Sequence, residues 1–153
     1  MRIAVCGPSQ CSAAEADTAR EVGRLLAQAG ATVICGGYGG VMAAAAAGAR
    51  EGGGVAVGIL SGTDAQGASL NLTVAIPTGL GEVRNALVVR AADAVIVVGG
   101  SWGTLSELAF GMRTGKPVIT LGGWRIVPDR DVPVPLVAAD PAEAVDLALR
   151  GGR

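Results

Sequence analysis

The chain has 153 residues, a net charge of −1, half its residues hydrophobic and only 3% aromatic. That length suits a single domain, 1–153, whose core volume comes from Ala, Val, Leu and Ile. The near-neutral balance, with basic residues scattered rather than clustered, excludes a global field for nucleic acid or an anionic membrane.

In chain order, Ile3–Cys6 reads as a short strand closed by Gly7-Pro8. Nothing before it has the charged and apolar segments of a signal peptide, and no apolar run nears the ~18 residues of a membrane span. A cytoplasmic protein with reduced thiols is expected. Ser12 and Glu15 form a capping box for a helix that Gly30 stops. Thr32–Cys35 is the second strand and runs into GGYGG; an alanine-rich helix follows from Val41 to about Arg50. Val55–Leu60 and Leu72–Ile76 give two more strands around a polar loop. Glu82–Ala92 reads as helix. Ala94–Val98 is the most apolar run, and it leads through GGSWGTLSE into a helix ending near Arg113. Val118–Leu121 is a strand, Val134–Ala138 a short edge strand, and Asp140 caps a last helix.

Alternating strands and helices, with the strands continuous β-branched runs, predict an α/β, three-layer sandwich with a mostly parallel sheet. Ligands of such sheets bind beyond the carboxyl ends of the strands. Three Gly-bearing loops meet there: Gly7–Gln10, Gly36–Gly40 and Gly99–Thr104. Glycine turns that open helices leave N–H groups aimed at one spot, which favours an anion such as phosphate. Tight strand-to-helix turns explain any one such loop equally well. GxGxxG fails at Met42 and no acid ends the second strand, so a nicotinamide dinucleotide is disfavoured; no P-loop motif occurs. With no histidine and no CxxC among Cys6, Cys11 and Cys35, no metal site and no Ser–His or Cys–His nucleophile pair is expected.

Glu107 has two readings. As the fourth residue of Thr104-Leu-Ser-Glu107 it completes a capping box worth roughly 0.5–2 kcal/mol. Alternatively it faces a ligand. Arg84 bears on the choice, because it shares a helical face with Leu87, Val88 and Ala91. An inward guanidinium needs an acid or a bound anion, unless it snorkels to the rim. Its helix and that of Glu107 start at the same edge of the sheet.

The stretch VRNALVVRAAD (Val83–Asp93), followed by GGSWGTLSE (Gly99–Glu107), resembles the paired motif of the LOG-type nucleoside-monophosphate phosphoribohydrolases, an RKxxM-like helix followed by PGGxGTxxE. The stretch VICGGYGGVMAAAAAGAREGGGVAVGIL resembles the family's GGGxxGLMG region, so the likeness runs from Arg2 to about Leu121. Val98, Asn85 and Val88 stand where the family has Pro, Lys and Met. In this the chain is more similar to a short bacterial branch whose relatives include molybdenum-cofactor carriers.

The resemblance implies a Rossmann-like fold, a homodimer or higher homo-oligomer, and Arg84 and Glu107 as catalytic pair. It implies phosphate binding by Gly37, Gly39, Gly40, Gly99, Gly100, Ser101, Gly103 and Thr104, with Pro8 and Ser9 of the first loop beside them. The expected activity is hydrolysis of a nucleoside 5′-monophosphate to free base and ribose 5-phosphate through an oxocarbenium-like transition state. Glu107 would stabilise the sugar cation or position water, Arg84 would orient it, and no cofactor is needed. The alternative is a non-catalytic carrier of a phosphorylated small molecule such as molybdenum cofactor. The family's old label of lysine decarboxylase does not suit a chain whose single lysine, Lys116, precedes Pro117 at a strand start. The loops 61–71 and 124–133 are expected to choose the ligand.

Overall fold

A computed structural model describes residues 1–152. Its strands are Arg2–Cys6 (β1), Thr32–Cys35 (β2), Ala56–Leu60 (β3), Val74–Pro77 (β4), Ala94–Val98 (β5), Val118–Leu121 (β6) and Leu136–Val137 (β7). They form one sheet in the order β4-β3-β2-β1-β5-β6-β7, and every pairing is parallel. The fold is therefore α/β and Rossmann-like, with the chain reversing direction across the sheet between β1 and β5. The helices are Ala13–Gln28 (α1), Val41–Glu51 (α2), Asn85–Arg90 (α3), Trp102–Arg113 (α4) and Pro141–Gly151 (α5).

Alternation along the central strands divides the core in two. Ile3, Val5, Val33, Ile96 and Ile119 face α1, α2 and α5, whereas Ala4, Cys6, Ile34, Val95 and Val97 face α3 and α4. Both faces of the inner strands are thus covered, which is why those strands are apolar throughout rather than alternating.

Helices α1 and α2 pack almost backbone to backbone. A Cβ on Gly48 would stand 1.8 Å from the Arg20 carbonyl oxygen, and one on Gly23 would stand 2.1 Å from that of Ala45. Arg20 and Glu51 are ion-paired across the exposed end of this seam. Ser12 and Asp140 cap their helices as the sequence predicts: Ser12 Oγ accepts from Glu15 N, and Asp140 Oδ1 accepts from Glu143 N at 2.9 Å.

Three expectations change. The predicted helix Glu82–Ala92 is a 3-10 turn at Gly81–Arg84 followed by the short α3. It does not wrap its apolar residues: Val88 is buried, but Val83 is 72% and Leu87 37% exposed. The predicted edge strand Val134–Ala138 contracts to the two residues of β7, Leu136–Val137, at the border of the sheet. Leu72 falls outside β4 and packs its side chain toward the core beside Gly37 and Gly58.

Replacing Gly48 by Ala should cost about 1–3 kcal/mol, because the added methyl meets backbone rather than a movable side chain. A lower urea midpoint with an unchanged denaturant slope would report this.

Candidate functional site

Helix α4 begins earlier than its sequence suggests. Ser101 is the N-cap: its Oγ accepts from Thr104 N at 3.2 Å and pairs with Thr104 Oγ1 at 2.8 Å. Thr104 is therefore inside the helix, and the capping box Thr104–Glu107 does not form. Ser101 outcompetes Thr104 because its extended backbone already suits a cap. Glu107 moves into the second turn, with no capping task.

Freed in this way, Glu107 points into a cleft of about 490 Å³ at the carboxyl ends of the central strands. Only 7% exposed, it is one of three polar residues in the core, with Thr104 and Thr120. Burial pushes its carboxyl up to about 7, against the pull of the Arg84 charge and a hydrogen bond with the Cys6 thiol. Burial likewise raises Cys6 well above its usual range and Cys35 to about 11, so both thiols stay protonated. All three cysteines are free.

Arg84 lines the same cleft. Its Nη1 donates to the carbonyls of Gly36 at 2.5 Å and Ile59 at 2.6 Å, at the ends of β2 and β3. The guanidinium lies 5.5 Å from the centre of the Tyr38 ring. Tyr38 is fixed in turn by Gly62 N (3.1 Å) and Ser61 Oγ (3.2 Å), which both donate to its hydroxyl. Among the described residues Arg84 and Glu107 form no ion pair. Among the described residues, none partners the buried Arg84 Nε. Native proteins keep few such groups, and each costs about 1–3 kcal/mol.

Of the residues expected at the site, Arg84, Glu107, Ser9, Ser101, Gly103 and Thr104 line the cleft. Helix α4 starts in its wall, so the N–H groups of Trp102 and Gly103 have no acceptor within the helix and, with the dipole, favour an anion there.

Pro8, Gly37, Gly39, Gly40, Gly99 and Gly100 are not among the lining residues, and most have packing reasons instead. A Cβ on Gly37 would strike Leu60; on Gly40, the carbonyls of Pro8 and Ser9; on Gly99, the Glu15 carboxylate. Gly37, Gly40 and Gly99 also hold left-handed φ angles of 84°, 59° and 67°. Pro8 O accepts from Val41 N at 3.1 Å, tying the first loop to α2.

Tyr38, Met42, Glu82 and Asn85, none of them singled out as site residues from the sequence, also line the cleft, and Ser61 joins them from the loop expected to choose the ligand. The signal for Tyr38 was present, since it is the chain's single tyrosine and lies inside the glycine run.

A parallel sheet with a polar cleft between two glycine turns, an arginine from one helix entry and a glutamate from the next, defines a LOG-like protein of Rossmann type. The chain belongs to the SLOG cluster4 family, whose sequence profile matches residues 1–144. It is 40% identical over 121 residues to an uncharacterised protein of Archaeoglobus fulgidus, covering 79% of this chain and 80% of that one. Its fold is similar to that of the molybdenum cofactor binding protein from Rippkaea orientalis, with a TM-score of 0.88, 31% identity, and coverage of 97% and 95% of the two chains. The molybdenum cofactor carrier protein of Chlamydomonas reinhardtii gives 0.85 and 31%, covering 97% and 96%. No helix among the described residues is long and apolar enough to cross a membrane.

The raised carboxyl sets a pH dependence. Folded Glu107 keeps its proton between pH 4.5, its ordinary value, and about 7, whereas in the unfolded chain it ionises in that range. Its contribution to stability therefore falls as pH rises through this window and is flat above it. Comparing urea midpoints across pH 4–8, Glu107→Gln should gain on the native protein by on the order of 3 kcal/mol.

Proposed function

We propose that this protein binds and carries a phosphorylated heterocycle of the molybdenum-cofactor type without turning it over. The observation that carries this reading is the engagement of Arg84. The hydrolase mechanism asks the guanidinium to keep Glu107 ionised over a ribose. Here Arg84 is committed to the carbonyls of Gly36 and Ile59, and burial leaves Glu107 half-protonated near neutral pH. A carboxyl group in that state exchanges hydrogen bonds with a ring edge as both donor and acceptor, but is poorly suited to stabilising a sugar cation. The similarity to a molybdenum cofactor binding protein and a molybdenum cofactor carrier protein supports the same reading.

The cleft suits such a cargo. Its volume lies in the range of small-molecule sites. The first turn of α4 offers N–H groups and a positive dipole end to the phosphate. Among the described residues no three His, Cys, Asp or Glu gather into a metal-ligand set. The residues present would therefore grip the phosphate and the ring rather than the metal. The reading includes self-association that covers the exposed Val83 and Leu87, which sedimentation of the purified protein would detect as a dimer or larger species.

Hydrolysis of nucleoside monophosphates is the second reading, favoured by one observation: Arg84 and Glu107 line one cleft. The two separate in a single comparison. Molybdenum cofactor released from a denatured molybdoenzyme should co-elute with the protein on gel filtration, and Arg84→Ala should weaken that binding about ten- to a hundred-fold. Incubation with AMP should yield no free adenine. Adenine release that Glu107→Ala abolishes would overturn the carrier in favour of the hydrolase.

A further inference from the structure

A second cavity, of about 400 Å³, lies on the other side of the α4 N-terminus, at the ends of β6 and β7. Thr120, Trp124, Ile126, Pro135 and Val137 are in its lining, and Arg125 is the one charged residue there. Trp124 is held in place by construction. Gly122 and Gly123, with left-handed φ angles of 69° and 77°, fold the loop back onto the β5–α4 turn. They bring the chain so close that a Cβ on Gly123 would lie 2.0 Å from the Gly99 oxygen. A Cβ on Gly100 would lie 3.1 Å from Trp124 Nε1, and that nitrogen donates to the Ser101 carbonyl at 3.0 Å. Ser101 is also part of the polar cleft wall. Ser101 therefore links the two cavities, lining one and accepting a hydrogen bond from the tryptophan that lines the other. Trp102 stands over the same point, its ring 5.0 Å from that of Trp124 and 78% exposed.

The placement of aromatic residues adds a second, independent observation. The chain has two tryptophans, one tyrosine and one phenylalanine, and none of them is in the core. Aromatic rings are the most effective fillers a core can have. Here three of the four ring the ligand edge instead: Tyr38 lines the cleft, Trp124 lines the second cavity, and Trp102 packs against Trp124.

Resting on the carrier reading above, we infer that the ligand has two flat ring systems joined through phosphate, as in a pterin dinucleotide. The phosphate bridge lies across the first turn of α4. One ring enters the polar cleft toward Glu107, and the second stacks on Trp124 with Arg125 beside its polar edge. This is not the usual nicotinamide dinucleotide arrangement, since β2 ends in Cys35 and supplies no acid to a ribose.

The test compares the phosphorylated pterin released from a molybdoenzyme with its guanine dinucleotide conjugate, both titrated into the intact protein. Trp102 and Trp124 are the only tryptophans, so indole fluorescence reports on this place alone. The dinucleotide should bind about ten-fold more tightly than the simpler pterin and quench the indole emission more, as stacking of a base on an aromatic side chain implies. Trp124→Ala should collapse that ratio toward one, and Trp124→Phe, which keeps a stacking face but loses the bond to Ser101, should retain most of it. Equal affinity of the native protein for the two forms, or a ratio that Trp124→Ala does not alter, would overturn the two-ring ligand and leave the carrier standing. Binding of neither form would overturn both. If Trp124→Ala changed sedimentation and left the ligand ratio intact, the cavity would belong to a contact between copies, and the inference would fail.

Discussion

Arg84 donates from one nitrogen to two carbonyl oxygens, those of Gly36 and Ile59, and this is possible only because Gly36 has no side chain. A Cβ there would stand 2.4 Å from Nη1 and 2.5 Å from Met42 Sδ. The ends of β2 and β3, the 3-10 turn that carries Arg84, and the ring of Tyr38 are joined by this contact. Tyr38 passes the constraint on to Ser61 and Gly62, so the loop after β3 is tied to the same guanidinium. Backbone carbonyls supply the hydrogen-bond acceptors that a half-buried guanidinium needs, and the polar cleft forms around it.

Much of the fold could be read from periodicity. Continuous β-branched runs separated by helical stretches leave few alternatives to a parallel sheet, and the caps at Ser12 and Asp140 follow from local chemistry alone. The boundary at α4 could not be read so simply. Ser101 and Thr104 are both good cap residues three positions apart, and only the extended backbone of Ser101 after the Gly99–Gly100 turn decides between them. That shift moves Glu107 from a capping role to the cleft floor. The sequence offered the glutamate two roles, and the cap at Ser101 removes one of them.

The glycines show a different limit. Their number suggested a continuous phosphate cradle, whereas several are small because another part of the chain presses on them. Gly99 and Gly100 receive the Glu15 carboxylate and the Trp124 indole, contacts between residues distant in sequence that no local pattern records. The Arg–Glu pair of the LOG motif is similarly ambiguous when read as letters. One spacing serves either an ion pair over a sugar or two separately supported groups, and the difference lies in which acceptors the guanidinium finds.

The last strand of the sheet has a further consequence. β7 is two residues long and, among the described residues, pairs with β6 on one side only. Pro133 and Pro135 precede it, removing donors from the border it presents outward. The unpaired donors and acceptors of a long open edge would otherwise invite neighbouring molecules to pair with it like added staves. Ending in a stub with imino acids beside it, the sheet stops growing at its own boundary, and the loop that holds Trp124 doubles as the guard of that frontier.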